Sequence, residues 1–220
     1  MIKYILGCVL MNKIIAKIVE QRQINKLYHF TRAENLQNIC QFGLVPRQYL
    51  DAQQMKSVYN DEYRFDNCPN AICLSIEFPN YKMFYKLRKE NPTTDWAVLQ
   101  LDASILYKFS CAYCWTNAGD ATIYNEPLQQ RMKADAFKDM FGDRPSYPQR
   151  CDLNIYECYP TNPQAEVLVF GVIPTEYIQS IYFERVEVLQ NYQEYILNEI
   201  PQSINTSLFL PRIDWSAWQN

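Results

Sequence analysis

Glycine is scarce in this sequence, with 5 in 220 residues, and neither G-x-x-x-x-G-K-S/T nor G-x-G-x-x-G occurs in it. A glycine-rich cradle for phosphates has no material here, which sets aside P-loop and Rossmann readings. Histidine is scarcer still: His29 is the single one, so a multi-histidine metal centre lacks its ligands and no metal is expected. No stretch reaches the roughly 18 apolar residues of a membrane span, so no membrane partner is expected. The opening run through Leu10 briefly resembles a secretory signal. However, Met11-Asn12-Lys13 follows at once, with no small-residue cleavage site. A net charge of −3 argues against coating nucleic acid through an overall field, yet leaves room for a local basic groove.

Hydrophobic residues at 48% and charged ones at 20% suit one domain with a sizeable core. Eight cysteines, at 8, 40, 68, 73, 111, 114, 151 and 158, make an even count, but disulfide frameworks belong to short secreted chains. Cys8, Cys40 and Cys73 sit inside apolar segments, where a thiol behaves as a small hydrophobe. A reduced, cytoplasmic protein is the reading.

Ile14, Ile15, Ile18 and Val19 recur at helical spacing and predict an amphipathic helix over 13–24, in an N-terminal segment 1–26 packed on a single body, 27–220. Leu27 to Phe30 reads as a short strand. Thr31 with Glu34 makes a capping-box pattern that opens a helix carrying Leu36, Ile39 and Cys40, which stops at Gly43. Residues 45–70 read as a long functional loop with a helical piece. Segments 71–76, 96–102, 166–172 and 178–183 suit strands, and Tyr81 to Arg88 a helix. From 117 to 164 the chain reads as mostly loop, with one helix near 127–140. The sum is α+β.

Three groups of residues bear on chemistry. At Tyr28-His29-Phe30-Thr31 a strand end meets a helix start, which offers free N–H groups and a positive dipole end to an anion. A lone histidine is more often structural than catalytic, and Thr31 has a full explanation as a cap. Arg64, in Tyr59 to Asp66, offers a planar fork for phosphate, although a solvated charge cluster explains that stretch as well. Glu166 stands at the mouth of the apolar strand Gln164-Ala165-Glu166-Val167-Leu168-Val169, an expensive place for a charge unless it is paired or functional.

Together these segments resemble the DarT family of DNA ADP-ribosyltransferase toxins, over roughly residues 27–185. His-x-Thr at 29–31, followed by Asn35-Leu36, Ile39 and Gly43-Leu44, is similar to that family's NAD-binding segment, and Gln164 to Val169 to its catalytic-glutamate strand. The resemblance implies a split, mostly antiparallel sheet with flanking helices and a long acceptor-binding loop. It also implies NAD as co-substrate, Glu166 and Arg64 as catalytic residues, and cofactor contacts from His29, Phe30, Thr31, Asn35, Leu44 and Arg64. Arg47 is a second candidate for the loop arginine. The family's thymidine-modifying branch carries a Pro-Phe-Tyr-Phe type strand after the arginine, whereas here Cys73 to Phe84 differs. That departure leans towards the guanosine-modifying branch, associated with NADAR antitoxins. An antitoxin that removes the adduct, of NADAR or macrodomain type, is the partner implied.

ADP-ribosyl transfer passes through an oxocarbenium-like state, which a glutamate can stabilise while accepting a proton from the attacking base. An exposed base suits single-stranded DNA. The stretch 131–150 has a local excess of positive charge, and Trp115 and Tyr147 offer faces for stacking. The expected nucleic-acid contacts are therefore Trp115, Arg131, Lys133, Arg144, Tyr147 and Arg150, although a solvated helix of mixed charge explains the basic residues almost as well. Three alternatives stay open: a transferase acting on RNA or protein, a zinc-stabilised binding module on Cys111-x-x-Cys114 with Cys151 and Cys158, and a Cys–His hydrolase using His29.

Overall fold

Apolar runs rich in Val, Ile, Leu and Tyr fold as strands because branched and aromatic side chains pack on a pleated surface. The computed structural model describes residues 2–55, 57–58 and 67–219. In chain order come α1 (Ile2–Gln21), β1 (Lys26–Arg32), α2 (Leu36–Phe42), α3 (Arg47–Ala52), β2 (Ala71–Ile76), α4 (Tyr81–Glu90), β3 (Trp96–Asp102) and α5 (Ile105–Lys108). They are followed by β4 (Cys111–Cys114), α6 (Ala121–Tyr124), α7 (Leu128–Arg131), α8 (Ala134–Asp139), β5 (Glu166–Phe170), β6 (Ile178–Phe183), α9 (Val186–Tyr192) and β7 (Gln202–Ile204).

The strands form one sheet in the order β4-β5-β2-β1-β3-β6-β7, antiparallel except between β6 and β7. β1 pairs with β3 along its whole length, from Lys26 opposite Asp102 to Arg32 opposite Trp96. Its pairing with β2 stops after Leu27 opposite Ile76 and Tyr28 opposite Ser75. Beyond that point β2 pairs only with β5, Ala71 opposite Phe170 through Leu74 opposite Val167. The sheet thus divides into two halves joined at a two-residue seam. The expected split α+β architecture is what the chain adopts.

The main core buries Leu27, Leu74, Leu99, Val167, Ile181 and Phe183 on one face, under Ile15, Ile18 and Val19 of α1. Tyr28, Phe84, Trp96, Val98 and Phe209 pack on the other face. Helix α1 begins and ends earlier than 13–24, and Gln23, at φ 55, turns the chain into β1.

Thr31 is not a helix cap. β1 runs on to Arg32 because β3 continues to pair with it, and the short 3-10 turn that follows has no side-chain cap. The segment 117–164 holds three short helices, α6, α7 and α8, where one was expected. Cys111 and Cys114 face opposite sides of β4, one in the main core and one in a third cluster with Ala112 and Leu168. They cannot share one ion, and the zinc-module alternative falls on that geometry. None of the described helices is long and apolar enough to cross a membrane.

Candidate active site

In an unbroken sheet alternate side chains face opposite sides. Tyr28 lies opposite Ser75, and carrying the β2–β5 register one step on puts Glu166 at the same level. His29 and Thr31 would then face away from Glu166. The split removes this obstacle. Where β1 leaves β2, the His29 ring crosses the gap and its Nδ1–H donates to the Cys73 carbonyl of β2 at 2.9 Å; a carbonyl can only accept, which fixes that proton. His29, Phe30, Thr31 and Glu166 consequently line a single cavity of about 220 Å³.

The cavity wall is built from three sides. On the first, Leu44, 4% exposed, follows Gly43. Gly43 adopts φ +80, and a Cβ on it would stand 2.3 Å from the Ile173 carbonyl oxygen. Leu44 and Ile173 then exchange backbone hydrogen bonds at 2.9 Å each way, which locks Leu44 in place.

On the second side, the buried Asn35 donates Nδ2 to the Thr31 hydroxyl at 3.1 Å and to the Val58 carbonyl at 2.8 Å, while its Oδ1 accepts from Val58 N at 3.0 Å. Asn35 therefore acts on the cavity by pinning the 57–58 segment to β1. Phe30 stacks on Phe84 with centroids 4.5 Å apart.

On the third side, the buried Glu166 carboxylate is met by three N–H groups. Oε1 accepts from Asn80 Nδ2 and Asn117 Nδ2, both at 3.3 Å, and Oε2 accepts from the Ala118 amide at 2.8 Å. A carboxylate withdrawn from water needs such donors. Tyr28 also lines the cavity. Burial, reinforced by Tyr182 and Glu77, raises its phenol well above the usual range, so it stays neutral.

Arg47 lines the same cavity and lies 3.8 Å from Asp51. Arg64 lies outside the described residues. Asn80 and Asn117, the holders of Glu166, were not singled out in the sequence. Asn80 stood one residue before a predicted helix, a capping signal, whereas Asn117 has no local signature.

The expected nucleic-acid residues separate into two groups. Trp115, Arg144 and Tyr147 cluster, with the Arg144 guanidinium 5.0 Å from the Trp115 ring and the Tyr147 ring edge-on at 5.2 Å. Lys133 is exposed beside Gln130. Arg131, by contrast, is 4% exposed and donates to Cys114 Sγ. Arg150 spends its guanidinium on the carbonyls of Tyr156, Glu157 and Tyr159. Arg144 pairs with Asp139 and Lys138 with Asp135, so two more of the cations of this segment are engaged within it.

Residues 28–210 match the model of a family described as "ssDNA thymidine ADP-ribosyltransferase, DarT". Among solved structures the chain is similar to Thermosipho africanus DarTG in complex with ADP-ribose, at 20% identity and TM-score 0.56, over 84% of this chain and 50% of that one. It is also similar to Thermus sp. 2.9 DarT in complex with carba-NAD+, at 13% identity and TM-score 0.53, over 84% of this chain and 97% of that one. This chain thus spans half the length of the DarTG chain. Comparison with curated proteins gives no match. A family match across most of the sequence, on a sheet split in this way, has one meaning: the chain belongs to the DarT family of single-stranded-DNA ADP-ribosyltransferases.

Proposed function

We propose that this protein is a toxin that transfers ADP-ribose from NAD to a base in single-stranded DNA and releases nicotinamide. The observation that supports this most is the convergence of His29, Thr31 and Glu166, from two diverging half-sheets, on one cavity. His29, Phe30, Thr31 and Leu44 bind the dinucleotide, with Asn35 bracing the wall beside it. Arg64, with Arg47 as the second candidate, supplies the cation for its phosphates.

The nicotinamide–ribose bond breaks with its electron pair leaving on nicotinamide, and Glu166 faces the positive charge that develops on the ribose. A base nitrogen then donates its pair to the anomeric carbon and gives up its proton to the Glu166 carboxylate, which returns it to solvent. The base is guanine on the departure at Cys73 to Phe84, against thymine on the family's description. DNA runs past Trp115, Tyr147, Arg144 and Lys133. Arg131 and Arg150 serve the fold. A cognate antitoxin of NADAR or macrodomain type removes the adduct.

Mass spectrometry of nucleosides from single-stranded DNA treated with the protein and NAD tests this. ADP-ribosyl-deoxyguanosine is expected; ADP-ribosyl-thymidine corrects the base alone, and an adduct found only on RNA or protein overturns the acceptor. Glu166→Ala should reduce turnover by about 10²–10³-fold or more and relieve toxicity on expression, with the fold intact. Full retained activity, or loss of folding, removes Glu166 from its role.

A further inference from the structure

Asn117 and Ala118 reach Glu166 from a loop, whereas Asn80 reaches it from the end of a helix. Asn80 is 1% exposed, and each of its polar groups has an assigned partner. Its Oδ1 accepts from Met83 N at 3.2 Å and caps α4, and its backbone N–H donates to Ser75 Oγ at 3.1 Å. A backbone N–H can only donate, so Oδ1 must face Met83 and the amide NH₂ must face the carboxylate. The side chain can make both contacts only in this orientation. The positive end of the ten-residue helix α4 also lies next to the carboxylate through this residue.

We infer that Asn80 is a positioning residue for ADP-ribosyl transfer, holding the Glu166 carboxylate in its reactive orientation by tying it to the capped start of α4. The inference rests on the reading of Glu166 given above. It accounts for why a helix cap is buried beneath a catalytic cavity, where any of Ser, Thr or Asp would cap as well. Unlike these, an asparagine can accept from Met83 and offer two N–H groups besides.

Two variants separate positioning from capping. Asn80→Asp keeps the shape and the cap acceptor but turns the donor into a second carboxylate facing Glu166. Asn80→Ser keeps a cap acceptor and shortens the side chain. With NAD and single-stranded DNA as substrates, N80S should melt close to the native protein, N80D, which buries a second carboxylate, should fold but melt lower, and both should keep KM for NAD within about twofold. Turnover should fall about tenfold in N80S and about a hundredfold in N80D, the order set by like charge replacing a charge-assisted hydrogen bond. A role in capping alone predicts no such order, because Asp caps as well as Ser.

Native turnover in a folded N80D overturns the inference, as does an NAD KM that rises as far as kcat falls. Failure of both variants to fold overturns it too, since both retain the cap. A native chain that transfers nothing defeats the reading of Glu166 instead, so the two failures are distinguishable.

Discussion

The two half-sheets hold their site residues by different means. In one, His29 and Thr31 sit on β1, which is bonded along its full length to β3, itself bonded to β6. In the other, Glu166 is the first residue of β5 and depends on loops and the C-terminal segment as well as on β4. Arg212 and Asp214, 3% and 4% exposed, form a two-contact ion pair at 2.7 and 2.6 Å. The same guanidinium donates to the carbonyls of Pro160 and Thr161, a few residues before Glu166, and Trp218 Nε1 donates to Asp214. Continuous strand pairing places the cavity wall that carries His29 and Thr31, and a buried salt bridge fastens the approach to the Glu166 carboxylate. Regular pairing tolerates point changes, whereas a single buried ion pair does not.

The sharpest way to break this contrast is Asp214→Ala. Leaving the Arg212 charge buried without its partner should cost about 3–5 kcal/mol, lowering the melting temperature by roughly 6–20 °C for a chain of this size. Amide hydrogen exchange should rise first across 160–170 and least across β1. Equal loss of protection in both halves would mean that they unfold as one unit and that the contrast is geometric only.

Gly43→Ala attacks the other wall. The backbone there is left-handed and a methyl would collide with the Ile173 carbonyl, so a loss of about 1–3 kcal/mol from strain is expected, with a weaker NAD affinity as Leu44 shifts. An unchanged melting curve would show that the 43–44 and 173 segments move freely together.

Similar in size, but confined to one ligand, is the effect on DNA. Trp115→Ala should weaken single-stranded DNA binding by about 1–3 kcal/mol and leave NAD binding unchanged. Arg150→Ala should change stability rather than DNA affinity, because its donors are bonded to backbone carbonyls. Reversal of that pair in a fluorescence titration would relocate the DNA path.

The strands were legible where branched residues alternate or run together, as at 71–76, 96–102 and 178–183, whose bounds match β2, β3 and β6. Gly43 announced the end of α2 because its positive φ suits glycine above other residues. Thr31 misled because a threonine three residues before a glutamate is also compatible with a strand, and pairing with β3 decided the matter. Arg131 and Arg150 misled because charge composition does not reveal which cations are consumed internally. The split itself was legible only through the family resemblance. No local pattern reveals that β1 and β2 part after Tyr28, yet that parting lets residues of opposite parity meet.

Two carboxylates at the seam end of the sheet sharpen the comparison on a finer scale. Lys26 lies opposite Asp102 on one side, and its backbone N–H donates to Glu77 on the other. Burial alone would raise Asp102, but hydrogen bonds from Ser104, with the charge of Lys108 and a bond from Gln179, outweigh it and hold the group below its usual range. Burial raises Glu77, and the bonds from Asn25 and Lys26 only partly offset this. The two therefore act with opposite signs on stability. The contribution of Asp102 is present above its unfolded value of about 3.9 and is lost as pH falls through the lower folded value. Glu77 destabilises as pH rises from its unfolded value of about 4.3 through the higher folded one, because the folded state retains the proton longer. In urea titrations, Asp102→Asn should lose stability at neutral pH and match the native protein in strong acid. Glu77→Gln, which keeps an acceptor for both backbone N–H groups, should gain relative to the native protein as pH rises above that range. If both variants shift in the same direction, burial and hydrogen bonding do not divide between the two sides of the seam in this way.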